Sequence, residues 1–317
     1  MSEERLLQPE MIPESLWLPE FSTLVLPAPL CQVYKDLVNE NGLWDAATKV
    51  AQKGPIGGAS KEETDKHFAH SFDGSAARTL LAILDPKNEV GLTSNTFIKC
   101  TAGTSLSLTD APCGAGAAAA VFLSALAELR REKVLPREPL SVRLLGAELS
   151  PHAIDYARSM LERLVPSLED QAIFLELDFM EWDVTCEEST AQLVSSCEKA
   201  CGSVERRLLL VANFSGFVNN SKNWAVAEPH LYNLMSSASN ENSFAVWIEP
   251  PMKVASGGNI FNWLFKLCSG AWNFLRPRVI VPDIHYSAQA RFQLPLQPDI
   301  TARVHLSVIP FKVGGWI

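Results

Sequence analysis

Hydrophobic and polar positions along the chain change their rhythm once, near residue 95. Before that point turn-forming residues interrupt every run: Pro9, Pro13, Pro19, Pro27, Pro29, and GPIGGAS from Gly54 to Ser60. Between them, apolar residues at 30, 33, 34, 37, 44 and 47 follow a helical period over Leu30–Lys53, interrupted at Asn41 and Gly42. A second helix is predicted over Ser75–Pro86, with Ser75 as its N-cap and Pro86 as its stop. Residues 1–95 therefore read as an N-terminal helical cap or extension, and no repeat of fixed period runs through the chain.

From about residue 105, short β-branched or Leu-rich runs alternate with longer amphipathic stretches, the rhythm of βαβ units. The predicted strands are 106–110, 141–148, 172–178, 207–213 and 244–250, all parallel. Helices are expected at about 115–132, 151–164, 187–201 and 228–239, each long enough for the crossover that a parallel pair requires. Residues 259–275 form a further apolar, helix-like segment. The tail alternates on both sides of Gln297-Pro298-Asp299, a hairpin signal, so two of its segments should close the sheet antiparallel. The expected architecture is α/β: a doubly wound, seven-stranded, mostly parallel sheet over residues 96–317, with the helical extension before it.

Composition narrows the class. With 317 residues, 47% hydrophobic and 20% charged, the chain is globular, and 17 Gly with 20 Pro exclude a collagen-like or low-complexity polymer. A net charge of −9 argues against a broad nucleic-acid-binding surface and leaves room for a local RNA contact. The start, Met1–Arg5, lacks the basic and apolar segments of a secretory signal. The apolar stretch from Ala111 to Ala127 is too short and too small-sided for a membrane span. Seven cysteines, at 31, 100, 113, 186, 197, 201 and 268, form no CxxC pair, so a cytoplasmic location is expected, with no metal site and no membrane partner.

The chemistry concentrates in Leu106–Gly116, LSLTDAPCGAG: a strand ending in Asp110 that runs at once into Gly114, Ala115, Gly116 and an Ala-rich helix. Glycines let backbone approach a ligand closely, and the helix N-terminus beyond offers unpaired N–H groups. Two cofactors compete for such a turn. Gly114, Gly116 and Ala119 satisfy the dinucleotide pattern G-x-G-x-x-A, and Glu148 at the next strand end could hold a ribose hydroxyl. Asp110 points the other way: a carboxylate repels a pyrophosphate, whereas it suits a ligand carrying an ammonium and a sulfonium.

On these residues the sequence resembles the class I S-adenosylmethionine-dependent methyltransferases, whose first motif is an acidic residue followed by x-x-C/G/S-G-x-G, matched by Asp110, Cys113, Gly114 and Gly116. The resemblance covers roughly residues 100–317. It implies that Asp110 lies by the methionine moiety, and that Glu148, with Leu149 beside it in GAELSP, binds the ribose diol. It further implies that Asp178 and Phe179 lie by the adenine, and that Asn213 and Phe214 flank the transferable methyl. Ser150 and Pro151 fit a helix start immediately after the ribose carboxylate. Cys113 lies inside the glycine turn and reads as a cofactor-loop residue rather than a nucleophile. Asn213-Phe214-Ser215-Gly216 departs from the polar-Pro-Pro-aromatic tetrapeptide of base-amino methyltransferases, which argues against that acceptor.

Around this centre, Glu249 at the fifth strand end, before Pro250 and Pro251, and His285 join Asn213 as candidate catalytic groups. His67, His70 and Tyr286 could reach the pocket mouth. Among the tryptophans, Trp182 is placed to line a site, Trp224 could stack on a planar acceptor, and Trp263 and Trp272 read as core. VWIEPPM and the helical N-terminus also resemble the methyltransferases associated with the small ribosomal subunit, which implies an RNA or ribosome-linked acceptor; the Cys cluster expected of that group is missing. The function expected is methyl transfer from S-adenosylmethionine to an unidentified acceptor. The rivals are a catalytically silent S-adenosylmethionine-binding scaffold and an NAD-dependent oxidoreductase.

Overall fold

The structure is a computed structural model that describes residues 4–49, 60–90, 92–202, 204–214, 221–237, 242–250 and 286–313. Helix-like segment 259–275 with Trp263 and Trp272, the candidate His285, and Ser215 and Gly216 lie outside the described residues.

In chain order the elements are β1 (Trp17–Leu18), β2 (Thr23–Leu24), α1 (Ala28–Glu40), α2 (Trp44–Thr48), α3 (Lys61–Leu84), α4 (Leu92–Cys100), β3 (Ser105–Asp110), α5 (Ala117–Arg131) and β4 (Leu140–Glu148). There follow α6 (Pro151–Glu169), β5 (Ile173–Glu181), α7 (Glu187–Cys201), β6 (Arg206–Ala212), α8 (Ser221–Ser237), β7 (Ser243–Glu249), β8 (Tyr286–Leu294) and β9 (Gln297–Val313). No helix among the described residues is long and apolar enough to cross a membrane.

The sheet has nine strands in the order β1-β2-β8-β9-β7-β6-β3-β4-β5, where seven were expected. The two extra strands are a hairpin of two-residue segments in the N-terminal extension, too short to show a period of two in the sequence. β3, β4, β5, β6 and β7 pair in parallel as expected. β9 inserts antiparallel between β7 and β8, so β8 runs in the same direction as β7. The β8–β9 turn is Pro295–Leu296, and the Gln297-Pro298-Asp299 signal instead opens β9.

Each central strand is apolar on both faces because each face carries helices. On β6, Leu208, Leu210 and Ala212 enter one cluster with α3, α5 and α6, while Leu209 and Val211 enter the other with α7 and α8. The first cluster runs without a break from Leu7 through α1, α3 and α5 to Val308, so the N-terminal extension shares the core of the sheet. α5 is buried on every side, from Ala117 to Arg130, which explains its run of small residues: the sheet lies beneath it and α3 and α6 lie beside it.

Helix α3 starts fourteen residues before the predicted Ser75, capped by Ser60, whose side chain accepts from the Glu63 N–H while the Glu63 carboxylate accepts from the Ser60 N–H. Ser75 is mid-helix. The helix predicted over Leu30–Lys53 is divided at Asn41–Leu43 into α1 and α2, where Gly42 adopts φ +66°.

Candidate functional site

The chain leaves β3 for β4 and β5 on one side and returns to β6 and β7 on the other. The strand order therefore reverses between β3 and β6, and a crevice outside their carboxyl ends is where open α/β sheets bind ligands. Asp110, Gly114, Gly116, Glu148, Asn213 and Glu249 all gather at this edge.

Asp110 is fully buried at the tip of β3. Its Oδ2 accepts from the Ala119 N–H at 3.2 Å, so it caps the third residue of α5, a helix whose N-cap, Gly116, has no side chain to offer. Its Oδ1 has no hydrogen-bond partner among the described residues. Burial pushes the carboxyl up to about 8, against the Ala119 hydrogen bond and with help from the charge of Glu148. An isolated buried oxygen of this kind is costly without a compensating donor or cation.

The turn after Asp110 is fixed by backbone bonds. The Cys113 N–H donates to the Ala147 carbonyl at 2.9 Å and the Gly116 N–H to the Cys113 carbonyl at 2.8 Å. Gly114 and Gly116 adopt φ +51° and +80°, the left-handed region that glycine enters freely. Their surroundings differ. A Cβ on Gly116 would stand 3.1 Å from the Ala157 backbone of α6, so this glycine serves close helix packing, whereas a Cβ on Gly114 would meet nothing within 4 Å. Gly114 thus borders open space. The Cys113 thiol is pushed well above its usual range by burial and by the charges of Asp110 and Glu148, which suits packing and disfavours the thiolate.

Glu148 ends β4 and clasps the turn: its Oε2 accepts from the Gly114 N–H at 3.0 Å, and its Oε1 from the Leu149 and Ser150 N–H groups at 2.8 and 3.2 Å. Burial raises its pKa and these three bonds oppose the rise. Leu149 is 51% exposed beside it. Ser150 caps α6, accepting from the Ala153 N–H, and its hydroxyl meets that of Thr64 from α3 at 3.1 Å.

Other predicted residues are placed differently. Asp178 is exposed and three residues short of the end of β5; Glu181 is the residue opposite Glu148. The strand continues past Asp178 because its pairing with β4 extends as far as Glu148 does. Phe179 lies across Gly146 of β4, where a Cβ would come 2.6 Å from its ring, and Arg158 of α6 stands 4.8 Å over the ring centroid. Trp182, expected to line a site, is 2% exposed in the second core cluster, donating from its indole to Thr190. Phe214 is buried in the same cluster between Trp182 and Trp247, with ring centroids 6.2 and 6.4 Å away. Trp224 packs at the edge of that cluster.

Asn213 follows β6 with φ +58°, held by its own N–H donating to the Ile248 carbonyl at 2.9 Å. Its Oδ1 accepts from Nη1 of Arg78 in α3. Arg78 Nε donates to the His305 carbonyl of β9 at 3.1 Å. Glu249 is fully buried, its Oε1 accepting from the Phe214 N–H at 2.9 Å and the Trp247 indole at 2.7 Å. Burial lowers the Arg78 pKa, and the charge of Glu249 opposes that. Sequence reasoning missed Arg78, which lies 135 residues from Asn213. His67, also on α3, is pushed toward its neutral form by burial.

The register makes one side of this edge taller. Ser307 pairs with both Glu249 and Ser287, so β8 begins level with the end of β7 and the β8–β9 ribbon rises beyond it. Its inner face, with Ala288, Ala290, Phe292, Val304 and Leu306, enters the core cluster that α3 shares.

No protein-family model matches the chain, and no curated protein matches it. Among solved structures it is similar to precorrin-6y C5,15-methyltransferase from Geobacter metallireducens, at 8% identity over 69% of this chain and 86% of that one, TM-score 0.37. It is also similar to a putative class I S-adenosylmethionine-dependent methyltransferase from Listeria monocytogenes, at 13% identity over 90% and 87% of the two chains, TM-score 0.36. A third is an O-methyltransferase family protein from Burkholderia thailandensis, at 11% identity over 91% and 72%, TM-score 0.31.

Proposed function

We propose that the chain binds S-adenosylmethionine at the carboxyl edge of β3 and β4 and transfers its methyl group to an acceptor that enters over β6 and β7. The observation that carries this reading is Asp110 Oδ1, a buried carboxylate oxygen without a partner among the described residues at the tip of the leading strand, four residues before Gly114, where the turn borders open space. A cationic ligand favours the ionised form of that carboxyl and relieves its oxygen, whereas a pyrophosphate gains nothing from Asp110 or Glu148 and is repelled wherever they are ionised. The same pair of acids thus favours an adenosyl sulfonium over a nicotinamide dinucleotide.

S-adenosylmethionine would supply a methyl group already activated by a sulfonium. The residues of the chain would do the rest: Glu148 releases or shares its backbone N–H bonds to take the ribose hydroxyls, Gly114 allows close backbone approach, and Asn213 and Glu249 shape the acceptor side. Displacement at an activated methyl depends on alignment and exclusion of water more than on a strong acid or base.

Titration calorimetry with S-adenosylhomocysteine and with NAD tests this. Binding of the first and none of the second is expected, and Asp110→Asn should weaken S-adenosylmethionine binding by at least tenfold, the scale of one lost charged contact. Affinity for NAD alone would overturn the proposal.

A further inference from the structure

S-adenosylmethionine carries an aminoacyl tail with a carboxylate as well as an ammonium, and the acids at the tip of β3 and β4 answer only the positive groups. A bound carboxylate is held by N–H donors, and most strongly by those of a cation at the same edge. Most described arginines near the sheet are engaged elsewhere: Arg158 lies over Phe179, Arg163 pairs with Glu40, Arg143 pairs with Glu176, and Arg130 donates to the Gln171 and Ala172 carbonyls.

Arg78 is different. It reaches from α3 to the carboxyl end of β6, where Nη1 donates to Asn213 and Nε to the His305 carbonyl. Those bonds fix the guanidinium plane, and Nη2 has no hydrogen-bond partner among the described residues. Gly74, one helical turn earlier on the same face of α3, has nothing within 4 Å of where its Cβ would stand, so the helix leaves space beside the arginine. A planar fork held at two points, with one edge unused, is suited to an oxyanion.

We infer that Arg78, contributed by the N-terminal extension, is the residue that binds the aminoacyl carboxylate of the cofactor, its free Nη2 edge donating to the carboxylate while Asn213 and His305 hold it in place. The inference rests on the methyltransferase reading above. It assigns α3 a part in cofactor binding, beyond its packing against α5.

The test compares two ligands that differ in the tail: S-adenosylhomocysteine, which has the carboxylate, and methylthioadenosine, which lacks the whole aminoacyl group. Calorimetry is run on the full chain and on Arg78→Gln, which keeps a donor for Asn213 but no charge, and Arg78→Lys, which keeps the charge. Arg78→Gln should lose about tenfold to a hundredfold for S-adenosylhomocysteine, the range of a charge-assisted bond, and less than about threefold for methylthioadenosine. Arg78→Lys should retain most of the preference for the ligand with the tail. Because the two ligands are compared within one variant, a loss of fold stability moves both and leaves their ratio unchanged. Equal losses for both ligands, or no loss for either, would overturn the assignment. If the unaltered chain bound neither ligand, the cofactor reading itself would fall, an outcome distinct from the other two.

Discussion

Asp110 does two jobs with two oxygens. Oδ2 caps α5 through Ala119, and Oδ1, without a partner among the described residues, is the oxygen proposed to face the ligand. Replacement by Ala would therefore remove a helix cap worth about 1 kcal/mol along with the ligand contact, whereas Asn retains an oxygen for the cap. The raised pKa carries its own prediction. The unfolded carboxyl has its ordinary value of about 3.9, and burial in the folded, ligand-free chain pushes it up to about 8. Its contribution to stability is fully present below the unfolded value and is lost as pH rises through the folded one, so the ligand-free chain should lose stability between these limits. A cation at Oδ1 reverses the shift, so binding of S-adenosylmethionine should release a proton, and affinity should rise with pH by up to about tenfold per unit until about pH 8. Calorimetry in two buffers of different ionisation enthalpy measures that proton; Asp110→Asn should abolish it. Asp110, Gly114, Gly116 and Glu148 were legible in the sequence because their chemistry is local to two strand ends. Arg78 was not, since only the packing of α3 across the sheet brings it to Asn213.

Two glycines separated by one residue make different demands on the same turn. Gly116→Ala would add the strain of a left-handed residue, about 1–2 kcal/mol, to a contact 3.1 Å from the α6 backbone, where relief requires the helix itself to shift. Gly114→Ala carries the conformational cost alone. Urea unfolding should rank them accordingly, with Gly116→Ala the more destabilised by at least about 1 kcal/mol. In α3, Gly74 is the opposite case: it sits in the middle of a long helix in open space, and Gly74→Ala should stabilise by up to about 1 kcal/mol in the same measurement. The beginning of α3 was also present in the sequence as Ser60-x-x-Glu63, a capping box whose reciprocal bonds the structure contains. It is easily passed over because it follows a run of Gly and Pro and precedes His67, His70 and Gly74 rather than a clean apolar period. The hairpin of β1 and β2 offers no such signal: two residues per strand cannot display alternation, and its existence depends on β8 being there to pair with it.

Across the whole molecule, the change of rhythm near residue 95 marks a boundary in sequence pattern, yet that residue lies inside α4 and the core passes through it. Phe68, Phe72, Leu80, Leu81 and Leu84 of α3 are at most 3% exposed, in the same cluster as α5 and the sheet. Burial of each such side chain is worth about 1.5–3 kcal/mol, and five together rival the 5–15 kcal/mol by which a whole domain is stable. α5 gives the same answer from the other side, since a largely apolar helix buried on every side has no solvent face to present once its cover is removed. Residues 96–317 expressed alone should therefore fail to reach a cooperative native state, binding a hydrophobic dye and showing no sharp thermal transition, while the full chain unfolds in a single step. A soluble fragment with a sharp transition of its own would mean that α3 rests on a finished domain. In that case the Arg78 contact would be the addition of a separate unit, and the extension could be removed without disturbing Asp110 and its turn.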